Sequence, residues 1–331
     1  MSFSKIVGID VSKLTLDVHV LPEHQVFNVL NDAKGIKQLI RLMEKNLKVK
    51  PSDTLFAFEF TGFYSYRLAV CLQEMNYPIV MLPGLELKRS TGITRGKSDP
   101  VDAKKIAEYT YLRRDQIVPT QLIEEEIEQI KRFLSLRDRL VKQRAGYKAT
   151  LSEATRAIGR KEDPLYFQVQ EKVVKELTLQ IKRVEKELVQ IVNANPELKK
   201  QFDLIVSIKG VGPQTAMTMI AVTHAFRKFP TWRKFACYAG IAPFPYQSGT
   251  SIKGRTKVSH LANKKVKSLL GNITGSAIQH NPEMKLYYTK RIAAGKNKMS
   301  TQNIIRNKLI SRIFAVIERG TPYVDTMKFA A

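Results

Sequence analysis

Four acids in this chain have the type and surroundings to bind divalent metal over a phosphodiester. Asp10 ends the apolar run Ile6-Val7-Gly8-Ile9. Glu59 stands between Phe58 and Phe60, and Asp99 and Asp102 open the stretch Asp99-Pro100-Val101-Asp102-Ala103. Carboxylates are hard oxygen ligands suited to Mg²⁺ or Mn²⁺. Two such ions, roughly 3.5–4 Å apart, can clamp the attacking and leaving oxygens of a phosphoryl displacement. Each acid also has a plainer role. Asp99 is a natural helix cap before Pro100, and Asp102 suits the positive end of a helix dipole. Asp10 after an apolar strand also fits the phosphate hairpin of actin-like ATPases and sugar kinases. Glu59 among phenylalanines is harder to explain structurally, because Glu is rarely buried without a partner.

A second constellation is basic. Ser248-Gly249-Thr250-Ser251 is followed by Lys253, Arg255 and Lys257, then by Lys264, Lys265 and Lys267, and no acid falls between residues 248 and 268. Small hydroxyl residues beside cations suggest a flexible loop that grips phosphate. A serine hydroxyl is a poor nucleophile unless a base or metal activates it, and no His-Asp pair adjoins Ser248. His260 is the nearest histidine and suits a structural role. Upstream, Ser207-Ile208-Lys209-Gly210-Val211-Gly212 has the form of a helix-hairpin-helix turn. Its glycines would let backbone approach a phosphate, and the next helix start offers free N–H groups.

The elements that must carry these residues follow from periodicity. Strands are expected at 6–10, 15–21, 25–30, 54–60 and 78–82, with Leu55, Ala57 and Glu59 on one side of the fourth. Helices are expected at 34–47, 63–76 and 99–113. The last starts at Asp99 and Pro100 and puts Asp99 and Asp102 on one face. Three strands followed by alternating helices and strands give a mixed α/β sheet, the order of the ribonuclease H-like fold. From Leu122 the signals turn helical. Val174, Leu177, Ile181, Val184, Leu188 and Ile191 step by three and four, an apolar seam of nearly three heptads. A two-helix antiparallel arm broken near Gly159 to Pro164 is the simplest reading. The seam serves either intramolecular packing or a subunit contact. Past Asn193 to Pro196 a compact helical domain is expected. The division is therefore 1–121, 122–195 and 196–331.

Charge narrows the partners. The chain carries 55 Lys and Arg against 30 Asp and Glu, a net charge of +25. Residues 1–60 are nearly neutral at +1, whereas residues 196–331 hold 23 basic and 5 acidic residues. Such a balance favours a polyanion, since each cation set on a phosphate releases a counterion. Cys71 and Cys237 make neither a disulfide framework nor a zinc motif. No apolar run reaches the length of a bilayer span, and the start of the chain lacks a signal-peptide layout. A reducing, cytoplasmic, nucleoid-associated protein without a membrane partner is expected.

Three segments carry a family resemblance. Gly8-Ile9-Asp10-Val11-Ser12-Lys13, Phe58-Glu59-Phe60-Thr61-Gly62-Phe63-Tyr64 and Lys97-Ser98-Asp99-Pro100-Val101-Asp102-Ala103 resemble the acidic motifs of the DEDD transposases of bacterial insertion sequences. That family includes the Piv and MooV invertases and the RNA-guided bridge recombinases. Ser207 to Gly212, Tyr238-Ala239-Gly240-Ile241-Ala242-Pro243 and Gln247-Ser248-Gly249-Thr250-Ser251 resemble its C-terminal transposase domain. The order is right along nearly the whole chain. Ala262-Asn263 stands where the family often has Gly-Asn or Gly-His.

The resemblance implies a RuvC-like, ribonuclease H-like N-terminal domain, a helical coiled-coil arm and a mainly α C-terminal transposase domain. Asp10, Glu59, Asp99 and Asp102 would bind Mg²⁺ or Mn²⁺, and Ser248 would be the nucleophile. Lys209, Gly210, Gly212, Gly249, Thr250, Ser251, Lys253, Arg255, Lys257, Lys264 and Lys265 would contact nucleic acid. The expected partners are donor and target double-stranded DNA, a structured noncoding guide RNA, and further copies of the chain in a dimer or tetramer. Ser248 would meet the acids across a domain or subunit boundary. Lys285, Lys290, Arg291, Lys296, Lys298, Arg306, Lys308 and Arg312 are further backbone-gripping candidates, and Tyr287 and Tyr288 are candidates for base stacking or core packing. Three rivals remain: a RuvC-like, Holliday-junction resolvase-like nuclease that hydrolyses DNA with water, a non-catalytic nucleic-acid scaffold, and an actin-fold ATPase.

Overall fold

The computed structural model describes residues 3–90, 99–122, 124–248 and 252–325, with only the backbone of Asp99, Ser248, Ile252 and Lys253. The chain falls into two compact units, Met1–Leu122 and Ile123–Ala331.

The first unit is a five-stranded mixed sheet of β1 (Lys5–Val11), β2 (Thr15–Leu21), β3 (Gln25–Leu30), β4 (Thr54–Glu59) and β5 (Ile79–Leu82), in the order β3-β2-β1-β4-β5. β1 pairs antiparallel with β2 and parallel with β4, and β4 pairs parallel with β5. This is consistent with the ribonuclease H-like order expected. The strands of the pleat alternate between two cores. Val7, Ile9, Leu16, Val18, Phe56 and Phe58 pack with α1 (Ala33–Leu47) and α2 (Phe63–Glu74). Ile6, Leu55, Ala57, Val80 and Leu82 pack on the other face with α3 (Gly84–Ser90) and α4 (Asp99–Leu112). Short α3 has no counterpart in the sequence reading.

The polar residues of β2 are not wet. Asp17 and His19 are 7% and 6% exposed, because α4 packs on β1 and β2. Asp17 accepts from Asn28 Nδ2 at 2.8 Å. Close approach of α4 depends on Gly8: a Cβ there would stand 2.4 Å from both Ala103 O and Ala107 N. At the edge of β5, Thr120 N donates to Ile79 O at 2.7 Å and Thr120 Oγ1 accepts from Met81 N at 3.0 Å. This strap covers an edge that would otherwise be open to strand pairing.

The second unit starts with two long helices, α5 (Glu125–Ala157) and α6 (Pro164–Ala194). Arg137 Nε donates to Glu185 Oε1 at 2.7 Å and Arg144 Nη1 to Thr178 Oγ1 at 3.4 Å, so the pair runs antiparallel. The apolar seam divides along its length. Ile181, Val184, Leu188 and Ile191 are buried, while Val174 and Leu177 near the tip are half-buried. Val184, Leu188 and Ile191 belong to one core with Ile127 and Ile130 of α5.

That core continues through α7 (Pro196–Val206), α8 (Pro213–Thr223), α9 (Trp232–Tyr238), α10 (Lys264–His280), α11 (Pro282–Ala293) and α12 (Lys298–Arg319). α12 buries Ile305, Leu309, Ile310, Ile313 and Val316. Asn195, Asn263, Asn281 and Asn297 cap helices with their side chains, and two of these stand directly before a proline at the helix start. The helical run is interrupted by an antiparallel hairpin of β6 (Pro243–Ser248) and β7 (Ile252–Val258).

Candidate active site

The acids of the first unit gather by register. Ile9 of β1 pairs with Phe58 of β4, and Asp10 and Glu59 are the next residues on these parallel strands. Residues opposite one another on neighbouring parallel strands share a face and stand about 4.8 Å apart. Ile9 and Phe58 point into the α1–α2 core, so Asp10 and Glu59 point to the face that carries α4.

Glu59 is held against backbone. A Cβ at Gly84 would lie 1.9 Å from Glu59 Oε1, so the carboxylate rests on the start of α3 where only glycine leaves room. Opposite, α4 runs antiparallel to β1. Its later residues Ile106 and Tyr109 pack near Phe3 and Ile6, while Ala103 and Ala107 lie over Gly8. Asp99 and Asp102 in its first turns are thereby carried toward the Asp10 end of the sheet. Tyr109 donates its hydroxyl to Glu86 of α3, tying the two helices together. Burial and Glu86 push the Tyr109 phenol up.

The four acids are not equally assembled. Asp102 Oδ1 accepts from Lys105 Nζ at 3.0 Å, and the Asp99 side chain lies outside the described residues. Among the described residues no group of three His, Cys, Asp or Glu side chains is gathered for a metal ion. An all-carboxylate set still suits a hard divalent cation. Asp10 and Glu59 could supply two ligands from neighbouring strands, and Asp102 would have to leave Lys105 to join them.

In the second unit, Ser248 is the last residue of β6, and its backbone pairs with Ile252 of β7. Gly249, Thr250 and Ser251 lie outside the described residues. The sequence reading put Ser248 to Ser251 in a flexible loop followed by Lys253, Arg255 and Lys257; Ser248 instead ends a strand, and the three cations lie on β7. Ile252, Gly254, Thr256 and Val258 alternate with the cations, a period of two obscured by the two prolines of β6 and the low apolar content. Arg255 and Lys257 are exposed.

Lys264 and Lys265 are exposed in the first turn of α10. Cations there oppose the helix dipole, and an anion would relieve them. Lys265 stands 3.8 Å from Asp138. Lys209 pairs with Asp325 at 2.8 Å. Gly210 has φ +94° and its open side is filled by Ala277 of α10, so packing accounts for this glycine; Gly212 faces open space.

Ala262, where the family often has glycine, fills a notch. A Cβ at Gly240 would lie 2.2 Å from Ala262 Cβ, and Asn263 donates to the Tyr238 hydroxyl at 2.7 Å while capping α10. His260 is exposed at the surface rather than packed. Arg306 is half-buried, which lowers its pKa, and among the described residues its Nε has no hydrogen-bond partner. Arg312 is engaged by Glu283, and Lys308 lies over the Tyr287 ring at 4.3 Å. Tyr287 and Tyr288 both pack on the helical core.

Two family profiles match this chain. Residues 7–158 match the profile of the DEDD transposase domain of IS110 elements, described as "Transposase". Residues 203–289 match the profile "Transposase IS116/IS110/IS902 family". The chain carries both IS110-family transposase domains. The pilin gene-inverting protein of Moraxella lacunata is 24% identical over 327 residues, spanning 96% of this chain and 97% of that protein. Its Moraxella bovis counterpart matches to the same extent. An insertion element IS110 protein of 43.6 kDa from Streptomyces coelicolor is 29% identical over 136 residues, 41% of this chain and 33% of that protein. The transposase is thus an enzyme of DNA recombination, with DNA as its substrate. Among the described residues no helix is long and apolar enough to cross a membrane.

Sequence reasoning passed over two features of this transposase. Gly84 seats Glu59, and its signal was only a Pro-Gly pair after a strand. Phe244 and Tyr246 stand exposed beside Arg255 and Lys257. Their signal was two aromatics within four residues of a serine already singled out.

Proposed function

We propose that this transposase cuts and rejoins DNA strands through a phosphoserine intermediate on Ser248. Asp10, Glu59, Asp99 and Asp102 would hold Mg²⁺ or Mn²⁺ at the carboxyl end of the sheet. The cation supplies neutralisation of phosphate charge and a lowered hydroxyl pKa. Ser248 Oγ attacks the scissile phosphorus, loses its proton, and forms a phosphoserine ester as the bond to one DNA end breaks. That end leaves as a free hydroxyl after taking up a proton. Attack by a second hydroxyl reverses the exchange and frees the serine. The bond energy is kept in the ester, so rejoining needs no ATP.

The observation that supports this reading is the placement of Asp10 and Glu59 one residue beyond the last paired positions of adjacent parallel strands, on the face that carries α4. A serine site in the other unit then has to reach them from a neighbouring domain or subunit. In this scheme residues 1–121 are the catalytic domain, 122–195 a coiled-coil arm that sets the reach, and 196–331 the transposase domain. Lys209, Gly212, Gly249, Thr250, Ser251, Lys253, Arg255, Lys257, Lys264 and Lys265 contact nucleic-acid backbones. A structured noncoding RNA guides donor and target duplexes into a dimer or tetramer. The relatives named for pilin gene inversion support strand exchange over simple cleavage.

The test is trapping on a nicked donor substrate with Mg²⁺ or Mn²⁺. A covalent protein–DNA adduct is expected from the native chain and is lost in both Ser248→Ala and Asp10→Asn, each with unchanged thermal unfolding. Free ends released by water, with no adduct and no dependence on Ser248, would make the enzyme a hydrolytic nuclease of the Holliday-junction resolvase kind. Sequencing of RNA that co-purifies with the native protein tests the guide: one defined species is expected.

A further inference from the structure

Among the described residues, nothing forms a covering layer over the β6–β7 hairpin. Phe244 to Gln247 on one strand and Gly254 to Lys257 on the other are exposed. An isolated two-stranded ribbon is marginally stable in water, and one that displays large aromatic side chains has surface left to cover. Phe244 is 46% exposed and Tyr246 64% exposed. With Pro245, Gly254, Arg255, Lys257 and Ser259 they line an open groove of about 460 Å³.

The groove has the parts of a nucleotide site. Tyr246 pairs with Gly254 across the ribbon, and a Cβ at Gly254 would meet the Tyr246 ring at 2.8 Å. The ring therefore leans on bare backbone, which steadies it while much of its surface stays open. Base stacking on such a ring contributes about 1–3 kcal/mol per base. Arg255 and Lys257 stand at alternate positions of β7 in the same groove and supply charge for the adjoining phosphates. A paired duplex keeps its base faces covered, so an aromatic platform is useful only where a base has left the stack.

We propose that the Phe244–Tyr246 groove binds an unpaired DNA nucleotide next to the cleavage point, with Tyr246 stacking on the base and Arg255 and Lys257 on its flanking phosphates. The assignment to the cleavage point rests on the reading of Ser248, two residues from Tyr246. The transposase then takes its substrate locally melted, and the ribbon both marks and holds the opened strand.

The test uses the full-length protein and a DNA duplex with a short unpaired bubble containing 2-aminopurine, beside a fully paired duplex of the same sequence. Native protein and Ser248→Ala are both expected to bind the bubble and quench the probe, which separates this groove from the serine's chemistry. Tyr246→Leu is expected to weaken bubble binding about tenfold and abolish quenching, with duplex binding unchanged. Tyr246→Phe and Tyr246→Trp should keep both. Equal weakening on bubble and duplex, no weakening on either, or tighter binding of the same bubble made of RNA would overturn the proposal.

Discussion

Asp10 and Glu59 stand on strands covered on both faces, whereas Ser248 ends a strand covered on neither. On the acidic side every support is rigid: β1 and β4 are central in the sheet, α4 lies on the bare backbone of Gly8, and Glu59 rests on Gly84. Close-packed surroundings of this kind fix a carboxylate before the substrate arrives. On the serine side the support is one ladder between two short strands. Its order is of the low-stability kind that binding elements commonly have. Under the proposed function, metal ligands would need a fixed geometry and a serine nucleophile a movable one, and the two regions differ in that sense.

One substitution made in both places tests that division most severely. Gly8→Val would drive side-chain atoms into the Ala103 and Ala107 backbone of α4. Overpacking ordinarily costs about 1–3 kcal/mol, and more where backbone cannot yield. Thermal unfolding should drop sharply or soluble protein should be lost. At Gly254 the neighbour is the Tyr246 ring on an open surface, which can turn aside. Gly254→Val should leave unfolding unchanged while reducing bubble-DNA binding. Equal Tm losses at the two positions would break the comparison.

A finer probe is Gly84→Ala. The added methyl falls where Glu59 Oε1 lies, so the carboxylate must move while the fold survives. Mn²⁺ affinity, read by titration, is expected to fall about tenfold, the lower end of what losing a ligand's support costs. Unchanged affinity would mean that Glu59 is not a ligand.

The smallest expected effect concerns pH. His224 ends α8 and accepts from Lys131 Nζ at 3.2 Å; burial first, then Lys131 and Lys228, push its pKa down to about 3. The unfolded chain binds a proton near the ordinary histidine value of about 6.5, where the folded chain does not. Stability from this group is therefore full above that value and declines as pH falls toward 3. His19 is lowered in the same direction by burial under α4. His224→Asn, which keeps a residue tolerant of its φ of +52°, should flatten part of the acid-side fall in Tm. A pH profile identical to that of the native chain would show that the folded His224 titrates normally.

Much of this was legible in the sequence, for reasons that local chemistry explains. The acids Asp10, Glu59, Asp99 and Asp102 sit in motifs whose neighbours are short-range signals: an apolar strand ending in an acid, alternation around Glu59, a proline at a helix start. The helical hairpin declared itself through its heptad steps. The β6–β7 ribbon did not, because its strands lack the buried alternate residues by which most strands are recognised, and its pairing joins residues that no local rule compels.

The chain by itself determined which residues could bind a cation, where the basic charge lies, and the order of the five strands of the first unit, because each depends on side-chain type and on neighbours a few positions away. Only the tertiary structure decided that Asp10 lies beside Glu59, that Gly8 and Gly84 are the seats of α4 and of a carboxylate, that Gly210 serves packing, and that Arg306 is half-buried. Register and close approach join residues tens of positions apart, and those contacts are fixed by the packing of whole faces rather than by any one segment.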